Sequence, residues 1–563
     1  MPSDDDAHSF TILLSQYLAA RPTLKAHILV IGITVVGFTV NGAARGPALR
    51  PARDITRADV DTLRREFSGG NVLVPGDPTY GQVKFFNGRF DHIKPAAIIQ
   101  PTSEAGVLQA IQWAHRNGIR VSVKGGGHHY EGHSKIPGAV IDLSKLKMDL
   151  ANQRLEVDPV SKASLITVGA GNNLGQLYSA LAKQNRVVPA GTAETVGVIG
   201  HVLGGGVGDM GPHFGYATQS LERVRLMTFT GKTLDISDAG ISEIKDGKPV
   251  PYVGNVTGAE VMKALRGGGQ AAFGIITQAT LKTHDTSKHD MRYFEIKPSG
   301  SLSQEQTVNL VSAWQKWQSS HPEFAKDVSS KLNMTRSGNS YNVEVSGVIA
   351  TTDPAKVEAI KRSMSEFRSQ MGGSQNVKFS ATPQNIGQIF NAYKDPPSLF
   401  NNDKRNSHIV RSAMVPDQVS NAGVRNLVGN MISGGDNPVT IYAMGGAARE
   451  GLKERTSLQP GNFIVELETV NGSQQALDNY HKGFMAAAGL DHSYANYPGN
   501  GKVITNPAFQ KIRDEFNPPA AQRVAHSPLA DTIEAQQPRQ PPKQAVAAAP
   551  PVLPPTAKPK SQA

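Results

Sequence analysis

The chain has 563 residues, of which 39% are hydrophobic and 19% charged, with 56 glycines; this excludes a collagen, a coiled coil or a wholly disordered chain and predicts two globular domains plus appendages. The net charge of +11 comes from basic residues that are scattered outside the C-terminal tail, with no arginine-rich stripe interleaved with aromatics, so nucleic acid is not expected as a partner. There is no cysteine, hence no disulfide framework, thiolate metal site or cysteine nucleophile.

In chain order, the first feature is the apolar stretch Ala26 to Ala44, preceded by Arg21 and Lys25 and ending with Gly42 and Ala44 at small-residue positions suited to cleavage. It reads as an export signal, placing the protein outside the cell, in the periplasm or at the cell surface. An uncleaved anchor is the competing reading, since the length just suffices to span a bilayer, and the acidic start MPSDDD leaves a misplaced start codon open as well. A membrane is a partner only in the anchor case.

A short strand is expected over Ala97 to Gln100, then a helix opening at Thr102 or Ser103 with Val107, Ile111 and Ala114 on one face and a stop at Gly118. A second strand, Arg120 to Lys124, runs into Gly125, Gly126 and Gly127, and a third follows over Ala139 to Leu143. Further glycine-rich segments occur at Val168 to Gly175, Gly191 to Gly211 and Arg266 to Gly274, too many in one region to be unrelated turns. From Met291 the texture changes. Val308, Val311 and Trp314 mark a helix, Tyr341 to Ala350 alternates as a strand, and Pro354 to Phe367 is helical with Val357, Ile360, Met364 and Phe367 inward. The last segment, His526 to Ala563, is rich in Pro, Ala, Gln and Lys and lacks Phe, Trp and Tyr, so it is expected to be a disordered tail.

The segment VSVKGGGHHYEGHS, Val121 to Ser134, is the most informative. Glycines after a buried strand let backbone N–H groups approach a pyrophosphate, because no Cβ intervenes and left-handed conformations open up. A Rossmann loop would have to open a helix, whereas here a strand follows. A metal site is the other rival for His128, His129 and His133, but neither H-E-x-x-H nor H-x-x-E-H is present and the glycines argue against a helix that would align two histidines. No metal is expected.

These residues resemble the FAD-linked oxidases of the vanillyl-alcohol oxidase type, with a PCMH-type FAD-binding domain, and within them the berberine-bridge-enzyme-like group. The resemblance runs from about Arg89 to Thr283 and resumes near Tyr494. It is carried by the Gly-Gly-His loop, by IDLSKL (Ile141 to Leu146), VGAGNNLGQLY (Val168 to Tyr178), GVIGHVLGGGVG (Gly197 to Gly208) and ALRGGGQAAFGIIT (Ala264 to Thr277), and by SYANYPG (Ser493 to Gly499). It implies an α+β, two-domain FAD-linked oxidase fold, with a discontinuous FAD-binding domain and an antiparallel-sheet substrate domain covered by helices. The implied boundaries are a targeting segment 1–44, FAD-binding domain 45–290, substrate domain 291–490, a return to the first domain over 491–525, and the tail 526–563.

By the same resemblance FAD is held by Lys124, Gly125, Gly126, Gly127, His128, His129, Tyr130, Gly132, Gly191, Thr192, Gly197, Gly200, His201, Gly204, Gly205, Gly208, Gly274, Ile275, Ile276 and Asn496, with a covalent bond from His128 to the flavin 8α-methyl carbon. The group's second attachment, through cysteine, falls at Ala193 and is ruled out. Other departures are Lys124 for an arginine, and Gln219 and Gly499 for aspartates. Flavin oxidation of an alcohol or amine needs a base for the O–H or N–H proton. Tyr494 is the first candidate, its ordinary pKa of about 10 having to be lowered to serve. Glu466 and Glu468 come second, alternating in FIVELETV with Phe463, Val465 and Leu467 and so turned away from the core, on a face that is more commonly solvent-exposed. Tyr497 is expected only to pack a domain junction. The expected function is an FAD-dependent oxidoreductase that takes a hydride from an alcohol group of a small molecule, a carbohydrate by resemblance, with O2 as acceptor. The alternatives are a dehydrogenase with another acceptor and an inactive binding protein on the same fold.

Overall fold

Ser103 caps a helix as the sequence predicts. Its hydroxyl accepts from the N–H of Gly106, and Gly118 closes the helix in the left-handed conformation, so α1 spans Glu104–Asn117 and buries Val107, Ala110, Ile111 and Ala114 along one stripe. The structure, a computed structural model, describes residues 53–268, 273–392, 406–459, 461–497 and 507–517. All belong to one compact unit, Leu49–Ala563. The expected targeting segment, the tail from residue 526 and Gly499 lie outside the described residues.

Strand β1 (Gly70–Leu73) pairs antiparallel with β2 (Ala97–Pro101), which runs parallel to β4 (Ala139–Asp142); β3 (Val121–Lys124) is the parallel neighbour of β4 on its other side. The parallel strands are buried on both faces and read as continuous apolar runs. A seven-stranded antiparallel sheet lies beside it, made of β5 (Glu156–Val157), β6 (Ser164–Gly169), β7 (Leu221–Thr228), β8 (Thr233–Ser237), β9 (Gly240–Lys245), β10 (Lys248–Pro251) and β11 (Gly274–Lys282) in the order β10-β9-β8-β7-β11-β6-β5. One continuous core joins both sheets to α1, α2 (Leu174–Ala182), α3 (Val198–Leu203) and α4 (Gly258–Gly268).

The second half is another seven-stranded antiparallel sheet. It comprises β12 (Asp290–Pro298), β13 (Val328–Ser337), β14 (Ser340–Thr351), β15 (Gln375–Phe379), β16 (His408–Val415), β17 (Val439–Ala443) and β18 (Phe463–Val470), in the order β15-β12-β14-β13-β17-β18-β16. Helices α5 (Gln304–Ser320), α6 (Pro354–Ser363), α7 (Asn421–Gly429) and α8 (Gln474–Ala488) cover one face and share its core. Val357, Ile360, Met364 and Phe367 all point into that core, as their spacing predicts. The period of two along the strands is strict at the site end. Val465 and Leu467, Val439 and Ile441, and Ile409 and Ala413 enter the helix-covered core, so Glu466 and Glu468, Thr440 and Tyr442, and His408 face the other way.

After α8 the chain returns. Ala495 and helix α9 (Phe509–Phe516) pack in the first core, with Phe509, Ile512 and Phe516 buried, and Glu515 accepts from the Tyr252 hydroxyl. The FAD-linked oxidase architecture expected from the sequence, α+β with a discontinuous first part, is the one observed.

Two polar ties close the seam between the cores. Arg411 on β16 pairs with Glu131 in the glycine loop (2.8 Å) and with Asp478 on α8 (2.6 Å). Asn87, 3% exposed, donates its amide N–H to the carbonyls of Tyr130 (2.8 Å) and His408 (2.6 Å) while its oxygen accepts from the N–H of His408 (3.0 Å). Asn87→Ala strands these buried backbone groups and is expected to cost about 2–3 kcal/mol, seen as a lowered midpoint of thermal unfolding; an unchanged midpoint would mean that the seam does not need the amide.

Candidate active site

Strand β3 delivers the loop Gly125–Gly127 to the seam, and β4 anchors it from beneath. Lys124 and Asp142, 6% and 1% exposed at their side chains, form an ion pair of 3.0 Å. Asp142 also accepts from the Gln100 amide and from Ser144, so the buried charges are compensated by hydrogen bonds as such a pair requires. Above it the loop meets the N-terminus of α3 at backbone contact. A Cβ on Gly126 would stand 2.3 Å from the nitrogen of Gly197, and one on Gly197 would stand 2.5 Å from that of Gly126. Only glycine fits at either position.

The cavity that opens between this cradle and the second sheet has a volume of about 500 Å³. Gly125, Gly126, Gly127, His128, His129, Tyr130, Gly191, Thr192, Gly197, Gly200, His201, Gly274, Ile275, Ile276 and Asn496, all singled out from sequence, line it. Lys124, Gly132, Gly204, Gly205 and Gly208 stand behind the lining. Gly132 lies against the Phe90 ring, Gly205 against Tyr494 and Gly208 against the Ala190 carbonyl, where side chains would collide. Their role is to let the wall close, and a glycine pattern alone does not distinguish that role from ligand contact.

Two imidazoles in the wall are held neutral. Burial, reinforced by Lys124, His201 and His408, pulls His128 down to about 3, and burial pulls His201 down to about 4. His201 Nε2 accepts from the Gly191 N–H at 2.9 Å. His128 Nε2 lies 3.0 Å from the Thr195 hydroxyl, and its ring stacks on Phe86 at 4.8 Å and 15°. Phe86 in turn stacks on His408 at 4.7 Å. His129 and His133 stack on each other at 3.9 Å; among the described residues no group of three His, Cys, Asp or Glu could hold a metal ion.

The opposite wall comes from β16, β17 and β18. Glu466 is 7% exposed, and burial together with the neighbouring Glu468 pushes its carboxyl up to about 8. Tyr442 donates its hydroxyl proton to Glu466 Oε2 at 3.0 Å, and Glu468 Oε1 lies 2.7 Å from His408 Nδ1. The face expected to be solvent is therefore cavity wall. The two tyrosines of SYANYPG exchange their expected places. Tyr494 is buried outside the lining, where its hydroxyl accepts from the Val207 N–H (3.0 Å) and the Asn496 amide (3.1 Å) and its ionisation is pushed up by burial. Tyr497 lines the cavity; a turn closed by Tyr497 N–H donating to Tyr494 O at 3.0 Å sets its ring edge-on to that of Tyr494, with centroids 5.3 Å apart. Sequence reasoning passed over Phe86, His408, Thr440, Tyr442 and the lining role of Tyr497. The alternation of VTIYA (Val439–Ala443) could have given Thr440 and Tyr442, whereas Phe86 and His408 belong to no motif.

Residues 95–237 match the model of an FAD binding domain. The chain is 30% identical over 236 residues to berberine bridge enzyme-like 22 of Arabidopsis thaliana, covering 41% of this chain and 39% of that protein. It is 32% identical over 226 residues to the FAD-linked oxidoreductase hasG of Aspergillus fumigatus, covering 39% and 43%. The matches thus span about two fifths of the length of these curated relatives. Among solved structures, the berberine-bridge-enzyme-like protein 1 of Physcomitrella patens superposes with a TM-score of 0.66 at 20% identity, over 82% of this chain and 97% of the other. Glucooligosaccharide oxidase from Acremonium strictum, described with a 6-S-cysteinyl, 8α-N1-histidyl FAD, gives 0.65 at 19%, over 84% and 99%. The chain thus carries an FAD binding domain over residues 95–237, shares its fold with FAD-linked oxidases, and is similar in sequence to berberine-bridge-enzyme-like proteins.

Proposed function

We propose that the chain is an FAD-dependent oxidase that removes a hydride from a carbon bearing an alcohol group, with a carbohydrate as substrate class and O2 as acceptor. The observation that carries this reading is the cavity itself, where a glycine cradle with a neutral histidine faces a buried carboxyl that accepts from a tyrosine hydroxyl and has a second glutamate as neighbour. The cradle that a Cβ would fill at Gly126 and Gly197 suits a pyrophosphate, and a lining that runs from apolar residues of the first part such as Leu143 and Leu174 to Glu466 of the second sheet suits a dinucleotide. Bound there, FAD supplies the hydride acceptor. Backbone N–H groups of the loop at Gly125–Gly127 and of Gly197 bind its phosphates, and His128 attaches it by a single bond, there being no cysteine in the chain.

Glu466 is the group we assign to take the substrate hydroxyl proton. Tyr442 fixes the orientation of the carboxylate through Oε2, and the burial that raises its proton affinity makes it a stronger base than an exposed carboxylate. Tyr494 is a poorer candidate, since its hydroxyl already takes two hydrogen bonds and burial opposes its ionisation. We assign it the task of holding the wall at Val207. Glu468, His408, Thr440 and Tyr497 present hydrogen-bonding groups and an aromatic ring, the combination that suits a sugar, and the solved structures with this fold include proteins named glucooligosaccharide oxidase and chitooligosaccharide oxidase. The apolar stretch Ala26 to Ala44 supports a place outside the cytoplasm; among the described residues no helix is long and apolar enough to cross a membrane.

The direct test is to denature the purified protein in acid and measure flavin absorbance and intact mass. Wild type is expected to keep its flavin and His128→Ala to release it; folded protein that carries no flavin and takes none up would overturn the reading. Gly126→Ala is expected to fold yet bind little or no flavin, because the added methyl displaces the Gly197 backbone from the cradle. Proton acceptance by Glu466 requires the ionised carboxylate, so kcat/KM is expected to rise with pH and level off above about 8. Glu466→Gln should lower turnover by roughly 10²- to 10⁴-fold and flatten that limb, and a variant that keeps wild-type turnover and pH profile would remove Glu466 from the proton path. Recovery of the bleached flavin in air supports O2 as the acceptor, and its failure to recover transfers the assignment to a dehydrogenase.

A further inference from the structure

Lys331 on β13 stands directly opposite Tyr442 in the register of the second sheet, and Tyr442 is the residue whose hydroxyl donates to Glu466 Oε2 at 3.0 Å. Its neighbour Leu332 enters the helix-covered core, so Lys331 projects from the same face as Tyr442 and Glu466. The Lys331 ammonium lies 3.2 Å from Asp209 Oδ2, and the two side chains are 18% and 10% exposed. Asp209 follows Gly208 in the glycine segment of the first half. The pair therefore bridges the two halves, with its positive end on the sheet that carries Glu466. An ion pair so poorly solvated contributes little to stability by itself, which leaves its place beside Tyr442 to be explained.

The ionisable groups around Glu466 act on it in opposite directions. Burial and the neighbouring Glu468 raise its proton affinity, whereas the Tyr442 hydroxyl and the charge of Lys331 lower it. Glu468 is itself engaged by His408 on β16. Tyr494 and Tyr497, on the returning segment, are kept protonated by burial, and Tyr130 of the glycine loop packs edge-on to Tyr497. On the opposite wall His128 and His201 are neutral. Lys331 is thus the cation that opposes Glu468, and a cation near a carboxyl favours its ionised form.

We propose that Lys331 is a positioning residue for the proton acceptor: from its place across the sheet beside Tyr442 it favours the ionised form of Glu466, and Asp209 limits how strongly it does so. This rests on the assignment of Glu466 given above. Lys331 and Asp209 neither gain nor lose a proton in the reaction; only Glu466 changes charge, on receiving the proton of the substrate hydroxyl.

The test reads the protonation of Glu466 directly, by infrared difference titration of the purified holoprotein, following the carbonyl stretch of a protonated carboxyl that Glu466→Gln lacks. The wild-type midpoint is expected at about 8. Asp209→Asn removes the negative charge beside Lys331 and is expected to move the midpoint down; Lys331→Met removes the cation and leaves the carboxylate, and is expected to move it up, each by on the order of one pH unit. Lys331→Arg keeps the charge and is expected to keep the midpoint. A tie that served only to hold the two halves together would move both single variants the same way, or neither. Either of those results overturns the role of the pair while leaving Glu466 as proton acceptor. If Lys331→Met does not fold, as judged by circular dichroism, the other two variants decide: a downward shift in Asp209→Asn with none in Lys331→Arg supports the proposal, and any other result overturns it. Turnover left intact by Glu466→Gln would instead remove Glu466 from the proton path, and the inference with it.

Discussion

The backbones of Gly126 and Gly197 touch, and a methyl group on either would lie within 2.3–2.5 Å of the nitrogen of the other. That contact brings a strand-end loop of one sheet against the first turn of α3, so that N–H groups from two separate segments line one wall. Most of what surrounds the cavity is arranged to keep the contact in place. The Lys124–Asp142 pair props the loop from below, the bridge between Asn173 and Gly197 and the hydrogen bond from the Val198 N–H to the Asn172 carbonyl hold the start of α3 from the side, and Gly208 lets the segment before it close on Ala190. The glycines that do not line the cavity therefore serve those that do. Each position of close approach depends on its neighbours, which is why glycines recur in clusters through this half of the chain.

The second half supplies a wall of opposite character. In the first wall His128 and His201 are held neutral by burial, and the glycine segments offer mainly backbone donors. The second presents two carboxyl groups, a phenol and an imidazole from three adjacent strands. Bringing carboxyl groups so close in a poorly solvated space would be costly without partners. Tyr442 and His408 provide them, one for each carboxyl, and the charge that is left poorly solvated, at Glu466, responds by a raised proton affinity. Sheet geometry divides the labour. Because alternate residues face opposite sides, the same strands bury Val465 and Leu467 under the helices and present Glu466 and Glu468 to the cavity.

How much of this could be read from the sequence follows from the range of the interactions involved. Ser103, Gly118 and the stripe of α1 act within a few residues, and so do the glycine loops, so both were legible. The alternation of FIVELETV told which face the two glutamates share but not what that face meets, since the answer is a loop more than 300 residues earlier. The seam is set by Asn87 and His408, 321 residues apart, and by the stacking of Phe86 between His128 and His408. No local pattern marks either. The misplacement of Tyr494 relative to Tyr497 has the same origin: their spacing is that of a turn, and the segment is fixed from β16 by Ser412, whose hydroxyl accepts from the Tyr494 N–H and donates to the Tyr497 carbonyl.

The positions at which this chain departs from the pattern of its relatives could be taken as traces of lost function, but their contacts argue otherwise. Lys124 is buried and fully engaged, its ammonium shared between Asp142 and the Gly125 carbonyl. Gln219 uses both ends of its amide, accepting from the Tyr216 N–H at 2.6 Å and donating to the carbonyls of Ala447 and Glu450. An aspartate there could accept but not donate, so those two carbonyls would lose their partner. Glutamine is thus matched to the segment that it holds, which packs on the short helix at Gly211–Phe214 and borders the second wall. Lys124 and Gln219 are thus held by partners, and the two carboxyls opposite His128 each have one as well.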